Sequence, residues 1–273
     1  MDNPKKISLS GVQETLLIPL AIKAGETKRP KARIHDFKAV EIVEVLKLDT
    51  AKYDKFMSHE GVVARTILFD ETVKYYLKKY PRAVCISIGC GFDSRFSRVD
   101  NGMLTWYDLD LPDVISARKQ FFPEQERVRL IAKSALDPSW PREIEKDGKA
   151  IILIEGVLMY FKEEAVRGLL QIIRDNFDDV ILLAELMSPI PAKSTRLHDT
   201  VKNTEATFQW GVKSGKEAEK LCAGLKLVDE RNFNCEMKKY SLRGRLFASI
   251  PVIRNFNNRL AVFTLKGNLR NNF

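Results

Sequence analysis

Apolar positions along the chain fall into two kinds of run. Short continuous stretches rich in β-branched residues occur at Ala83–Ile88, Met103–Leu111, Arg127–Ala132, Ile151–Ile154 and Val180–Leu186. They read as strands buried on both faces. Lys226–Glu230 and Arg259–Leu265 supply two more. Between them, Val114–Phe121, Glu163–Phe177 and Gly215–Ala223 carry helical patterns, the second of them amphipathic. Seven strands alternating with helices predict an α/β domain with a mainly parallel sheet. The last two strands lack a crossover helix of clear pattern, so an antiparallel pair is expected there.

The first eighty or so residues are different in kind, with helical periodicity and no strand. Residues 1–10 read as a loose tail. Val12–Thr27 bunches Leu16, Leu17, Leu20 and Ala21 into a stripe that Pro19 should kink. After the basic connector Lys28–Arg33, Asp36 is the expected N-cap of a helix with Phe37, Val40, Val43 and Leu46 as its stripe. A third helix is expected over Ser58–Lys79, with Val62, Ile67, Val73, Tyr76 and Leu77 inward. The expected organisation is a helical cap, residues 1–82, packed beside or over a core of residues 83–273. The core carries an insertion or lid around 187–211.

The chemistry concentrates at strand ends. The first strand stops at Gly89-Cys90-Gly91, where missing side chains let the backbone turn sharply and approach a ligand. A helix starting near Asp93 would aim its free N–H groups at the same place. Asp108 and Asp110 follow at about the 20-residue spacing at which an acidic side chain meets a ribose diol. Asp110, last before the loop, is the better candidate, and Asp108 is expected to cap a neighbouring helix. Glu155 ends the fourth strand, at the sheet edge where ligands gather. The third glycine of the dinucleotide fingerprint is absent, because Ser94 stands there. A plain tight turn with solvated carboxylates is the alternative reading.

Composition narrows the classes. The chain has 273 residues, 45% apolar and 30% charged, ordinary for a soluble globular protein. No apolar run reaches the ~20 residues of a membrane span, and Leu16–Ile22, bracketed by Glu14 and Lys23, is a poor signal peptide. Cys85, Cys90, Cys222 and Cys235 form no Cys-x-x-Cys pair, so neither a zinc site nor a disulfide framework is expected, and a reducing cytoplasm fits. The net charge of +9 is concentrated in residues 213–273, with thirteen Lys/Arg against five Asp/Glu, 13 − 5 = +8. No stacking-aromatic motif accompanies this surplus, so nucleic acid is not the expected partner.

The order of these pieces carries a resemblance. Glu14-Thr-Leu-Leu-Ile-Pro-Leu20, Asp36-Phe-Lys-Ala39, Ile88-Gly-Cys-Gly-Phe-Asp-Ser-Arg95, Asp108-Leu-Asp-Leu-Pro112, Glu155-Gly-Val-Leu-Met-Tyr160 and Phe208-Gln-Trp-Gly-Val212 stand in sequence. Together they resemble the leucine carboxyl methyltransferase family, in its bacterial polyketide O-methyltransferase branch. The resemblance implies a class I methyltransferase, a Rossmann-like seven-stranded fold, with S-adenosyl-L-methionine as cofactor. It implies that Gly89 and Gly91 pass beside the cofactor's methionine part, that Asp110 holds the ribose and that Ser134 lies on the adenine side. Glu155 would face the amino-acid end, and Arg65 would pair with the methionine carboxylate. On the residues alone, Arg65 reads as a solvent-facing helix charge. Two positions depart from the family: Ser134 replaces the acidic residue usual in protein-methylating members, and Lys23 stands where relatives often carry arginine.

Substrate candidates are Lys23, Tyr160 and His198. Tyr160 could equally be core packing. Of His35, His59 and His198 only the last lies in the expected lid, where an ordinary surface histidine outweighs a base, so no catalytic base is assigned. The expected acceptor is a carboxylate or phenolic hydroxyl of a small molecule. The rival readings are a protein C-terminal carboxyl methyltransferase, an NAD(P)-dependent oxidoreductase and a non-catalytic nucleic-acid-binding protein.

Overall fold

A computed structural model describes residues 15–123, 125–192, 207–240, 245, 246, 249 and 257–267. In chain order they form α1 (Leu17–Thr27), α2 (Phe37–Val45), α3 (Thr50–Tyr53), α4 (Phe56–Lys79), β1 (Val84–Ile88), α5 (Arg95–Val99), β2 (Thr105–Asp110) and α6 (Pro112–Lys119). Then follow β3 (Val128–Ala132), β4 (Ala150–Ile154), α7 (Glu163–Asn176), β5 (Asp179–Leu186), α8 (Pro189–Ala192), α9 (Gly215–Ala218), β6 (Leu225–Asn232), α10 (Asn234–Tyr240) and β7 (Arg259–Lys266). The expected tail at 1–10 and most of the expected lid, residues 193–206, lie outside the described residues.

The strands form one sheet in the order β3-β2-β1-β4-β5-β7-β6. β1 to β5 run parallel, and β7 enters antiparallel between β5 and β6, as the missing crossover helix predicted. Side chains alternate between two hydrophobic layers, as strand geometry requires. Ile86, Ile152, Leu182 and Phe263 face α7 and the buried Trp140. Cys85, Ile151, Leu183 and Val262 face Leu68, Phe69 and Val73 of α4. The 82/83 boundary therefore runs between a helix and a strand that share one layer. Val62, Ile67, Val73, Tyr76 and Leu77 of α4 are all buried, as the periodicity predicted.

Two local expectations fail for clear reasons. Pro19 does not kink α1, because the helix begins at Leu17 and Pro19 sits in its first turn, where a backbone N–H has no intrahelical partner to lose. The stripe assigned to α2 holds only in part: Val43 is buried and Val40 and Leu46 pack against the core, but Phe37 does not. Three-residue steps drift by about 60° each around a 3.6-residue helix, so Phe37 and Leu46 cannot share a face. The buried face is Ala39, Ile42 and Val43, and Phe37 is 73% exposed. The N-cap holds: Asp36 accepts from Ala39 N at 2.9 Å. The helix expected over Gly215–Ala223 is shorter, with α9 followed by a 3-10 turn at Glu219–Leu221.

Candidate active site

Parallel register brings the candidate residues to one edge. Ala132 pairs with Asp110, Leu109 with Ile88, Ile88 with Ile154, and Ile154 with Ala184. The chain segments leaving β3, β2, β1, β4 and β5 are therefore neighbours, and each carries one polar residue or a glycine at that level. They line a cavity of about 710 Å3 together with α1 and α4. Arg65, Gly89, Gly91, Asp110, Ser134 and Glu155 all line it, as do Lys23 and Tyr160. His198 lies outside the described residues.

Gly89 and Gly91 adopt φ +70° and +49°, conformations that other residues rarely take. A Cβ at Gly89 would sit 2.3 Å from Val157, and one at Gly91 2.8 Å from Leu16. The turn is thus closely wrapped by neighbours, and only glycine fits. Asp110 holds it from β2, with Oδ2 accepting from Gly91 N at 2.8 Å and Oδ1 from Leu111 N at 2.8 Å. Burial pushes the Asp110 carboxyl up, and these two amides partly offset the shift.

Asp108 caps no helix. It is buried, accepts from Trp106 Nε1 at 2.8 Å and from Arg118 Nη2 at 2.6 Å, and Arg118 Nη1 donates onward to Gly91 O at 2.9 Å. Asp108 therefore braces the glycine turn through α6. The helix expected from Asp93 is also reduced: α5 starts at Arg95 and spans five residues.

Beyond the turn, Asp93 and the residues of α5 meet a lattice of buried charges. Arg95 reaches Asp70 at 2.6 Å, Asp93 at 3.0 Å and Glu155 at 2.6 Å. Arg98 reaches Asp36, Asp70 and Asp93. Lys23 of α1 lies 2.7 Å from Asp93, so this substrate candidate is engaged within the protein. Burial alone would raise the Asp93 carboxyl, but Arg95, Lys23 and Arg98 pull it well below the ordinary range.

Arg65 is no solvent-facing charge. Its side chain is largely buried, with Nη1 donating to Glu185 Oε2 at 3.1 Å and Nε at 2.8 Å from Glu155 Oε1. Nε is not aligned with Glu155 for a hydrogen bond and has no other acceptor. Burial would lower its pKa, yet Glu185 and Glu155 carry it up. Ser134 ties its own loop, its hydroxyl accepting from Leu136 N at 3.2 Å. Tyr160 lines the cavity against Phe208, ring centroids 5.5 Å apart, and burial raises its phenol.

Glu185 and the charge lattice were missed in the sequence. Glu185 interrupts the apolar run of β5 at the level where Glu155 ends that of β4, so a signal existed. The partners Asp70, Asp36 and Lys23 gave none, because they come from separate helices.

A second buried unit joins the N-terminal helices. His59 Nδ1 lies 2.6 Å from Asp54 Oδ1, and Nε2 lies 2.8 Å from Glu26 Oε2. Carboxylates only accept, so both ring nitrogens donate and the ring is the imidazolium. Burial opposes the charge, but Asp54 and Glu26 lift the pKa above 6.5, with Arg29 partly opposing them. A folded-state value above the unfolded one gives stability that is complete below about pH 6.5 and fades as pH rises through the folded value. Thermal melts across pH 5.5–9 should therefore show the parent losing stability relative to His59→Gln, by up to about 1.4 kcal/mol per pH unit in that window. Parallel curves for the two proteins would exclude the charged ring.

A mainly parallel sheet whose last hairpin inserts β7 antiparallel beside β5, with a glycine turn after β1 and an acid after β2, is the fold of class I methyltransferases that use S-adenosylmethionine. The profile of the leucine carboxyl methyltransferase family matches residues 20–174, more than half of the chain, and the protein belongs to that family. It is 26% identical over 226 residues to the tetracenomycin polyketide synthesis O-methyltransferase TcmP of Streptomyces glaucescens, covering 82% of this chain and 84% of that protein. It is 27% identical over 247 residues to the S-adenosyl-L-methionine-dependent methyltransferase dpfgK of Gibberella zeae, covering 81% and 82%. A crystal structure of a putative methyltransferase from Thermobifida fusca superposes with a TM-score of 0.61 at 12% identity, over 92% of this chain and 94% of that one, a likeness of fold. Among the described residues, no helix is long and apolar enough to cross a membrane, and no cluster of His, Cys, Asp or Glu suits a metal ion.

Proposed function

We propose that the protein transfers a methyl group from S-adenosylmethionine to a carboxylate or phenolic oxygen of a small apolar acceptor. The observation that carries this reading is the convergence, on one cavity, of two positive-φ glycines, Asp110 after β2, and Arg65 and Glu155 together. The residues suit the cofactor. The glycine backbone admits close approach, Asp110 offers charged acceptor lone pairs for a diol, and the Arg65 guanidinium on the cavity wall suits a carboxylate. Ser134 lies on the far side of Asp110, where the base of a nucleoside would extend.

S-adenosylmethionine, when bound, supplies the methyl group on a sulfonium that leaves as a neutral thioether. What the chain contributes is alignment of the acceptor oxygen and exclusion of water. Ile18, Val62, Met159, Tyr160, Met187 and Phe208 form an apolar wall suited to both tasks. A carboxylate is ionised at neutral pH and needs no base, whereas a phenol of pKa about 10 does. No base is assigned for the second case. Lys23 is the less apt substrate contact, since Asp93 already holds it.

Sheet order argues against the oxidoreductase alternative. A dinucleotide-binding sheet builds its second half from further parallel strands, and here β7 runs antiparallel beside β5. The test is titration with S-adenosylhomocysteine and with NAD, followed by a labelled-methyl screen of aromatic carboxylates and phenols. Binding of the homocysteine ligand alone supports the reading, and binding of NAD alone overturns it. Dependence of the screened activity on pH separates the acceptors. A flat profile above pH 6 marks a carboxylate, and a rising one a phenol.

A further inference from the structure

We infer that Glu185 is a positioning residue of this site: it orients the Arg65 guanidinium through Nη1, so that Nη2, the terminal nitrogen left without a hydrogen bond, faces the ligand. The inference rests on the cofactor reading above. Glu185 is 2% exposed, and burying a carboxylate there is costly unless every lone pair is used. Its partners use both oxygens. Oε2 accepts from Gly156 N at 2.8 Å and from Arg65 Nη1 at 3.1 Å, and Oε1 accepts from Asn258 Nδ2 at 2.6 Å.

Each of these partners belongs to the site. Gly156 has φ +71°, and a Cβ there would lie 3.4 Å from Arg65 Nη1. The amide that Glu185 holds is thus the one that aims Glu155 and leaves room for the guanidinium. Asn258 precedes β7, the strand beside β5, and from the cavity wall fixes Oε1, the oxygen that Arg65 does not use. Glu155 and Glu185 follow paired positions on adjacent parallel strands, since Ile154 pairs with Ala184. Two neighbouring carboxylates repel, and Arg65 lies between them.

The geometry separates two roles. Glu155 contacts Arg65 Nε by charge without an aligned hydrogen bond, and it is also held by Arg95 Nη2 at 2.6 Å. Glu185 makes the aligned hydrogen bond, to Nη1. With Nε enclosed beside Glu155, it therefore sets the plane of the fork and leaves Nη2 for an anion on the ligand. Without Glu185, the fork can rotate onto Glu155, and the donor meant for the ligand is consumed within the protein.

The test is a double-mutant cycle on the dissociation constant of S-adenosylhomocysteine, measured by titration in the intact chain. Glu185→Gln should weaken binding by about tenfold, the scale of one hydrogen bond to a charged group. Glu185→Asp, charged but too short to span Gly156 and Arg65, should weaken it comparably. Arg65→Lys removes the planar fork, so in that background Glu185→Gln should cost little further affinity. Losses that multiply independently, or full affinity in Glu185→Asp, would overturn the inference, because the carboxylate would then act only as bulk charge or as scaffold. Should the Glu185 variants fail to fold, Asn258→Ala releases Oε1 while keeping both charges. It should weaken binding in the parent and not in Arg65→Lys, and equal losses in both would overturn the inference. No binding by the parent chain would overturn the cofactor reading itself and this inference with it.

Discussion

Asp110→Ala is expected to weaken binding of S-adenosylhomocysteine by about a hundredfold, the effect of losing two charge-assisted hydrogen bonds to a ribose diol. The substitution also frees the Gly91 amide, to which Asp110 donates nothing but from which it accepts at 2.8 Å. The turn loses one brace, yet Arg118 still holds Gly91 O, so the fold should survive. Isothermal titration alongside circular dichroism checks both parts. Asp108→Asn makes the contrasting control. Asp108 faces Arg118 and Trp106 rather than the ligand, so that variant should lose stability more than affinity. Parent-like affinity in Asp110→Ala would remove this residue from the cofactor site.

Replacing Arg95 with Met should produce the largest loss of stability. Arg95 is buried against Phe69, guanidinium carbon 5.3 Å from the ring centroid, and touches Asp70, Asp93 and Glu155 within 3.0 Å. Taking away one partner of a buried ion pair leaves uncompensated charge, a cost of about 3–5 kcal/mol. For a chain of this size that corresponds to a fall in melting temperature of about 10 °C. Acidification should narrow the gap between parent and variant, because protonation relieves the stranded carboxylates. Asp93 and Asp70 are held below their ordinary range only with these arginines present, Arg95 and Arg98 above all. A thermal melt of Arg95→Met matching the parent would mean that the lattice is solvated in solution. The basic C-terminal residues are a weaker case. Lys216, Arg231, Lys239 and Arg259 pair with Glu219, Asp229, Glu236 and Glu230, and most such surface pairs contribute little.

Much of the architecture was legible because strand and helix periods leave different marks. Ile151–Ile154 and Ala83–Ile88 are continuous apolar runs, and burial on both faces of a parallel sheet demands that pattern. The glycine turn, Asp110 and Glu155 were legible for a related reason: each directly follows such a run, and strand ends of a parallel sheet converge. The error at Phe37 in α2 came from reading three-residue steps as one face, and the error at Pro19 from placing the helix start too early. Asp108 was misassigned because its partner, Arg118, sits on a helix whose orientation no local pattern reports.

Local chemistry in the chain determines the strands, the glycine turn, the Asp36 cap and the acidic residues at the sheet edge, since each depends on neighbours within a few positions. Tertiary structure alone decides what those acids are for. Glu155 and Glu185 become a clasp for Arg65 only when α4 crosses their strand ends, 90 and 120 positions away in the chain. Lys23, Asp36, Asp70 and Asp93 become one lattice only when three helices close over the turn. Electrostatic energy depends on distance in space and on exclusion of water, and neither is written in the spacing of residues along a chain.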